Sequence, residues 1–568
     1  MALVTGLIRV LGSAYPWSVD PSDELEESLS FVGATVEPET VIRAGYGAGI
    51  VTVVCLLPLF LTPLPGVAVV SLLALLSLSV VHGVHSFPHL AAAFERTEAL
   101  GDTPNLIGRA VLRMQIQPSL ESAVRFAAET GRGPLSANLA AHIDRSMGTP
   151  RTGVLTFADE WAEQFPALRR SAHLLATAQD APEAERSRTL DRSLSAILDG
   201  TRNQMAAFTS AIRGPTTALF AFGVMLPLAL VALVPAVPMA GVSVNIWMFV
   251  VLYNLVLPAV LVAVSLRLLV RRPVAFPPPT IGRDHPDVPD RLWRRGLVGV
   301  GVGIVTYPLV SAFGPAALAP VVAVGLGGGC GLLAVYQPIL AVRHHVRDVE
   351  EHLTDALYLV GRQVAEGESV ESAIELAADR VPGETGTVFT NAAGLQRRLA
   401  VSVEEAFLGE YGALRNVPSP RARGTAALLA IAANEGQPAG RAIVAMADHL
   451  EELEDVEAET KRELATITDT LDSTAAYFGP LVAGATVGLA GMMSGDLLDV
   501  ADASALPIDE LGIVIGVYVA TLCLILTPLS IALRHGMDRA LFGYHIGRTL
   551  LTSMVLYVGT ISLVGLLV

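Results

Sequence analysis

Nine stretches of this chain are each long and apolar enough to cross a bilayer, and no other feature limits its fold so strongly. They run over 41–61, 64–86, 214–235, 244–270, 296–313, 315–337, 475–495, 510–533 and 548–568. A spanning helix needs about 20 apolar residues, and lipid leaves backbone polar groups no partner beyond the helix itself. An all-α polytopic membrane protein with about nine transmembrane helices is therefore expected. Composition agrees: 16% of the 568 residues are charged, against about 25% in soluble domains. Residues 1–17 are too short and interrupted to span, and lack the small-residue cleavage site of a signal peptide. The fifth and sixth spans are Gly-rich and separated only by Gly314 and Pro315, which predicts a tight hairpin.

Basic residues orient a membrane chain, because they collect on the cytoplasmic side. With the N-terminus inside, the inner segments 87–213, 338–474, 271–295 and 534–548 hold 14, 12, 6 and 3 of the 38 basic residues. Arg9, Arg43 and Arg267 lie before or at the inner ends of spans, so the outer loops hold none. The loop 496–509 carries Asp496, Asp499, Asp502 and Asp509 instead. The expectation is a multi-pass protein of the cell membrane with a cytoplasmic N-terminus and an extracellular C-terminus. No Asp, Glu, Lys or Arg falls in mid-span, where ionisable groups mark ion pathways. The polar exceptions His82, His85, Asn245 and Asn254 read as interfacial or helix–helix hydrogen-bonding residues.

The two large inner segments repeat each other. Leu106-Ile-Gly-Arg109 is answered by Leu359-Val-Gly-Arg362, an offset of 253. Ser119-Leu-Glu-Ser-Ala-Val-Arg-Phe-Ala-Ala-Glu129 is answered by Ser369-Val-Glu-Ser-Ala-Ile-Glu-Leu-Ala-Ala-Asp379, an offset of 250. Leu174-Leu-Ala176 and Pro227-Leu228 recur as Leu428-Leu-Ala430 and Pro480-Leu481. Each unit, 41–270 and 296–533, reads as two spans, a helical inner domain and two more spans, with the ninth span as an extra. The division is an acidic arm (1–40), a hairpin (41–86), a first domain (87–213), a span pair (214–270), a basic Pro-rich linker (271–295), a second hairpin (296–337), a second domain (338–474), a span pair (475–533), and a loop with the last span (534–568).

Apolar spacing of three and four makes both inner domains helical bundles, with Leu120, Val124 and Ala127 or Ala128 on one face and Ser119 and Ser369 as N-caps. Glu121 and Glu371, inside the repeated motif, are candidate contact residues beside that packing role. The last helix of each domain reads straight into a span. From Arg441 to Gly495 a continuous helix would be about 80 Å long, either a static strut or a rod coupling the inner domain to the membrane. The acid–base balance, 54 against 38 or −16 net, argues against nucleic acid, whose phosphates require cations. Only Lys461 among the basic residues is lysine, a bias that accompanies a salt-rich cytoplasm, a GC-rich genome, or both. The first domain is neutral and the second carries 24 acidic and 12 basic residues. Much of that surplus is Glu451-Glu-Leu-Glu-Asp-Val-Glu-Ala-Glu459, either a solvated helix face or a docking surface for a basic partner. The acidic arm reads as a disordered or amphipathic tether.

Chemistry is absent from the motifs. There is no phosphate-binding G-x-x-x-x-G-K-[ST] loop, no H-E-x-x-H, G-x-S-x-G or C-x-x-C. The run Gly325-Leu-Gly-Gly-Gly-Cys-Gly331 reads as close helix packing, and Cys55, Cys330 and Cys523 as packing residues. His344, His345 and His352 are juxtamembrane polar residues rather than a metal site. No catalytic, cofactor or metal site is expected, and no enzyme.

Two helical inner domains, each followed by a span, resemble the type II secretion system F family, the inner-membrane platforms of type IV pilus, type II secretion and archaellum machines. The paired motifs at 119–129 and 369–379 carry the resemblance, with Ala433-Asn-Glu-Gly-Gln-Pro-Ala439, similar to the family's Gly-Glu turn. The first copy departs there, with Ala178-Gln-Asp-Ala-Pro-Glu183. The leading hairpins look like those of the archaeal and tight-adherence branches. The resemblance implies a non-enzymatic platform, a homo-oligomer of the dimeric kind, that engages a hexameric secretion ATPase and pilin- or archaellin-like subunits in the lipid membrane. Candidate partner contacts are Glu121, Glu371, Glu435, Glu451, Glu452, Glu454 and Asp455. The alternative is a transporter or permease with a parallel internal repeat.

Overall fold

Each apolar stretch that can be traced is helical. The structure, a computed structural model, describes residues 2–34, 36–61, 66–131, 133–146, 152–233, 246–270, 272, 281, 285–289, 291–435, 438–497 and 508–566. No strand occurs among them. Among the described residues, eight helical runs are long and apolar enough to cross a membrane: Pro38–Leu56, Glu185–Val231, Ile246–Val270, Leu292–Phe313, Ala316–Ala365, Ala439–Met492, Ile508–His535 and Arg539–Leu566. The chain is thus an all-helical, multi-pass membrane protein. The expected span at 64–86 is not among the eight; it starts outside the described residues and continues as part of a helix, Gly66–Leu100. Asn245, residues 271, 273–280, 282–284 and 290 of the linker 271–295, and the loop residues 498–507 also lie outside the described residues.

The chain divides into two compact units, Met1–Ala99 and Leu100–Val568. The first holds α1 (Ala2–Ser13), α2 (Asp23–Phe31), α3 (Pro38–Leu56) and α4 (Gly66–Leu100). The arm, expected to be a disordered or an amphipathic tether, is helical over α1 and α2. Ser22 caps α2 by accepting the Leu25 N–H at 3.3 Å, and Arg96 pairs with Glu27. Arg43 donates to the Tyr15 carbonyl at 3.0 Å, tying the segment after α1 to α3. His85 bonds the Ile42 carbonyl at 3.0 Å, the interhelical role its sequence position suggested.

In the second unit, a bundle of α5 (Thr103–Ile116), α6 (Leu120–Thr130), α7 (Pro134–Ser146), α8 (Gly153–Glu160), α9 (Pro166–Asp180) and α10 (Glu183–Phe220) precedes α11 (Leu226–Leu233), α12 (Ile246–Val251) and α13 (Leu257–Val270). The hairpin α14 (Leu292–Phe313) and α15 (Ala319–Glu350) leads to α16 (Leu353–Ala365), α17 (Val370–Arg380), α18 (Gly383–Leu399), α19 (Val403–Leu408), α20 (Pro420–Glu435) and α21 (Pro438–Ser473). Then come α22 (Gly479–Leu497), α23 (Ile508–His535) and α24 (Arg539–Leu566). Six helices, α5–α10, are answered in order by six, α16–α21. The repeat seen in the sequence is therefore also a repeat of elements.

The repeated motifs have local physical roles. The Ser119 hydroxyl accepts the Ser122 N–H at 3.4 Å and that of Ser369 accepts the Ser372 N–H at 3.2 Å. Behind these caps, Leu120, Ala123, Val124, Ala127 and Ala128 are buried on α6, and Val370, Ala373, Ile374 and Ala377 on α17. Ser369→Ala removes one N-cap bond and is expected to cost about 1 kcal/mol, read as a lower melting temperature of the detergent-solubilised protein. The glycines of the Gly-Arg pairs permit close approach. A Cβ on Gly361 would stand 2.9 Å from the Val444 backbone nitrogen, and one on Gly108 would stand 2.3 Å from the His449 ring. Both neighbours lie on α21, which packs against α16 of its own copy and α5 of the other. Leu112 and Leu198 of the first bundle accordingly join the core of the second. The arginines of the two pairs diverge: Arg109 is buried, 3.4 Å from Asp102, whereas Arg362 is exposed beside Glu366 at 3.0 Å.

The long helices are continuous but not uniform. A π turn, Ala221–Met225, joins α10 to α11, and another, Thr474–Phe478, joins α21 to α22. A third, Leu252–Val256, joins α12 to α13. Each ends two residues before a proline: Pro227, Pro480 and Pro258. Proline has no N–H, and its ring crowds the carbonyl four residues back; a widened turn relieves that crowding. The straight 55-residue rod expected over 441–495 therefore carries a joint at 474–478. In the Gly-rich hairpin, a Cβ on Gly299 would stand 2.3 Å from the Gly327 carbonyl oxygen, the close packing expected of the glycine run.

Candidate functional site

The acidic run on α21 is not one solvated face. Leu450, Leu453, Val456 and Leu464 are buried along α21, and that spacing turns some acidic residues inward with them. Glu457 pairs with Arg421 at 2.6 Å and with Lys461 at 2.6 Å. Arg421 lies in the first turn of α20, largely enclosed. Burial alone would lower its pKa, but Glu457 and Glu350 outweigh that and raise it. Burial would raise the Glu457 pKa, and Arg421 and Lys461 reverse it downward. Ser419 donates to Glu350, which adds a carboxylate from the end of α15 to the same cluster. Glu454 is half-buried beside this network, its pKa raised mainly by burial.

The other candidates divide sharply. Glu451 accepts the Tyr358 hydroxyl at 2.9 Å, and Asp448 accepts it too. Glu459 faces Arg202 of the first bundle at 3.6 Å. Glu451, Asp455 and Glu459 are exposed and Glu452 partly so; with Glu451 on Tyr358 and Glu459 on Arg202, Glu452 and Asp455 are the outward charges not engaged in these contacts. Glu371 is exposed in the first turn of α17. Glu121 is exposed and pairs with Arg125 at 3.0 Å, one turn along α6. Glu435 ends α20, and its side chain lies outside the described residues, as does the turn 436–437 that follows.

Glu121 and Arg125 line a cleft of about 570 Å³ where the bundles face each other. Arg113, Phe126 and Glu129 come from the first bundle, and Glu404, Ala427 and Ile431 from the second. Arg113 sits over the Phe126 ring at 5.9 Å and donates to Gln117 at 2.7 Å. The cleft mixes an apolar floor with charges of both signs, which suits a protein surface better than one small anion or cation. Of the juxtamembrane histidines, His345 lies 3.9 Å from Glu384 and His352 3.3 Å from Asp355.

Sequence reading missed Arg421 and His449. Arg421 is one of two arginines in Pro420-Arg-Ala-Arg423, and only the fold says which faces α21. His449 is 3% exposed on α21, against Gly108 of α5. The polar groups acting on it are the Pro104 backbone and the Arg421 guanidinium, and burial pushes its pKa down to about 4. No family model, curated protein or solved structure matches the chain.

Proposed function

We propose that the chain is a non-enzymatic membrane platform of a type IV pilus-like assembly machine, as its resemblance to the type II secretion system F family suggests. In this reading the two bundles are cytoplasmic, the C-terminus is extracellular, and a separate hexameric secretion ATPase docks on the bundles. The spans then guide pilin- or archaellin-like subunits into or out of the lipid, in a dimer of the platform. One observation carries the reading: each bundle continues, without a break in helicity, into a membrane-length apolar segment. Helices of that kind connect a docking surface to the bilayer, whereas solute transport calls for broken mid-span helices with polar ligands.

The outward part of the acidic run on α21 is the ATPase-facing surface in this proposal. Glu452 and Asp455 reach solvent without holding the bundle together, so their reversal tests docking rather than folding. The purified chain is expected to retain the secretion ATPase encoded with it, and the Glu452→Arg, Asp455→Arg double variant to lose at least tenfold in affinity. Retention should also fall as salt rises, since exposed charges are screened within about 10 Å at 0.1 M. Unchanged retention by the double variant would sink the assignment of this surface. No retention of the ATPase by the wild-type chain would sink the platform reading itself.

A further inference from the structure

The π turns at 221–225 and 474–478 occupy equivalent places in the two copies, 253 residues apart, the offset of the Gly-Arg pair. Each stands where a long bundle helix becomes a span. What holds them differs. Pro227 leaves the carbonyl of Gly223, four residues back, without its helical donor; the Tyr518 hydroxyl donates to it at 2.6 Å. The Tyr253 hydroxyl donates to the carbonyl of Pro227 itself at 2.6 Å. Both tyrosines are fully buried and their rings meet edge to face at 5.3 Å. Tyr253 belongs to the third π turn, so two widened turns are fastened to each other and to α23.

At the second joint the Gly479 N–H is committed to the Thr474 carbonyl, and Pro480 offers none. The Ala475 carbonyl, which Gly479 would have served, and the Ala476 carbonyl, four residues before Pro480, are both left over; the Cys523 thiol of α23 reaches the first at 3.4 Å. A thiol is a weak donor. We infer that the joint at 474–478 is the one that flexes, while its counterpart at 221–225 is clamped by Tyr253 and Tyr518. The first long helix is then a fixed strut, while the second, held to α23 below the joint by Ser530 and Arg534 at Thr468, bends above that anchor. Duplication supplied two joints, and the side chains of α12–α13 and α23 have made them unequal.

Amide hydrogen exchange of the intact chain in lipid nanodiscs tests this, because exchange reports local opening. Amides of 474–483 are expected to exchange faster than those of 221–230. Tyr518→Phe keeps the ring and deletes one hydroxyl bond. It should speed exchange in 221–230 about fivefold, the factor for one net hydrogen bond, and leave 474–483 unchanged. Cys523→Ser, a stronger donor, should slow 474–483. Equal protection of the two segments in the wild type overturns the inference, at whatever level it is found. So does Tyr518→Phe that melts as wild type yet leaves 221–230 unchanged.

Discussion

Arg421→Met is expected to destabilise the second bundle by about 3–5 kcal/mol, the usual cost of removing one partner from an enclosed ion cluster. The reason is what stays behind. Glu457, Glu454 and Glu350 all act on the guanidinium, and Lys461 alone would then face Glu457. Methionine matches much of the arginine stem in length, so packing is largely preserved and the loss is electrostatic. Adding Glu457→Gln to Arg421→Met should recover part of the stability, because the charge that most needs the arginine is gone. By contrast, Glu452→Gln on the outward side should change stability by less than about 0.5 kcal/mol. Thermal unfolding of the solubilised protein at fixed detergent and salt measures all three. A loss under about 1 kcal/mol for Arg421→Met would show that the cluster is more hydrated than its geometry implies.

That cluster also shows where the sequence was legible. Periodicity and caps are local, and local signals carry through: Ser119 and Ser369 cap, and Leu120, Val124, Ala127 and Ala128 form the buried face of α6 that their spacing predicts. The repeat was legible too, because order and offset survive when individual contacts do not. Three features were harder, for one physical reason: each depends on which helix lies across from a residue. Arg109 and Arg362 are equivalent in sequence, yet one is buried and the other exposed. The acidic run looked uniform, yet α21 has neighbours along its length, so Glu454 and Glu457 point inward while Asp455 points out. Pro227 and Pro480 did mark the widened turns, but a proline within a helix kinks, widens or is merely tolerated; Pro308 and Pro528 sit in helices with no π turn. For the acidic arm the sequence left a disordered and an amphipathic alternative open; α1 and α2 are helices, and Ser22 capping and the acidic first turn of α2 are favourable helix-start chemistry.

His449 is expected to make the contact between the two bundles sensitive to acid. Its ring is enclosed between α21 and α5, near the Arg421 guanidinium of α20, and its pKa is pushed down to about 4. An unfolded histidine titrates near 6.5. Between those values the unfolded chain binds a proton that the folded chain excludes, so stability falls as pH falls, and the fall stops below about 4. Linkage puts the loss from this residue at about 2 kcal/mol by pH 5 and about 3 kcal/mol by pH 4, relative to pH 7.5. His449→Leu cannot take up that proton in either state. The variant is expected to track wild type at pH 7.5 within about 1 kcal/mol and to become the more stable of the two below about pH 6. Other groups titrate over the same range in both proteins, so the difference between their melting curves isolates His449. Parallel curves from pH 7.5 to 4 would mean that the ring is solvated when the bundles meet. A Gly108→Ala variant sharpens the point, since its Cβ would press on the ring from α5. It should weaken the contact at every pH, separating loss of fit from uptake of charge.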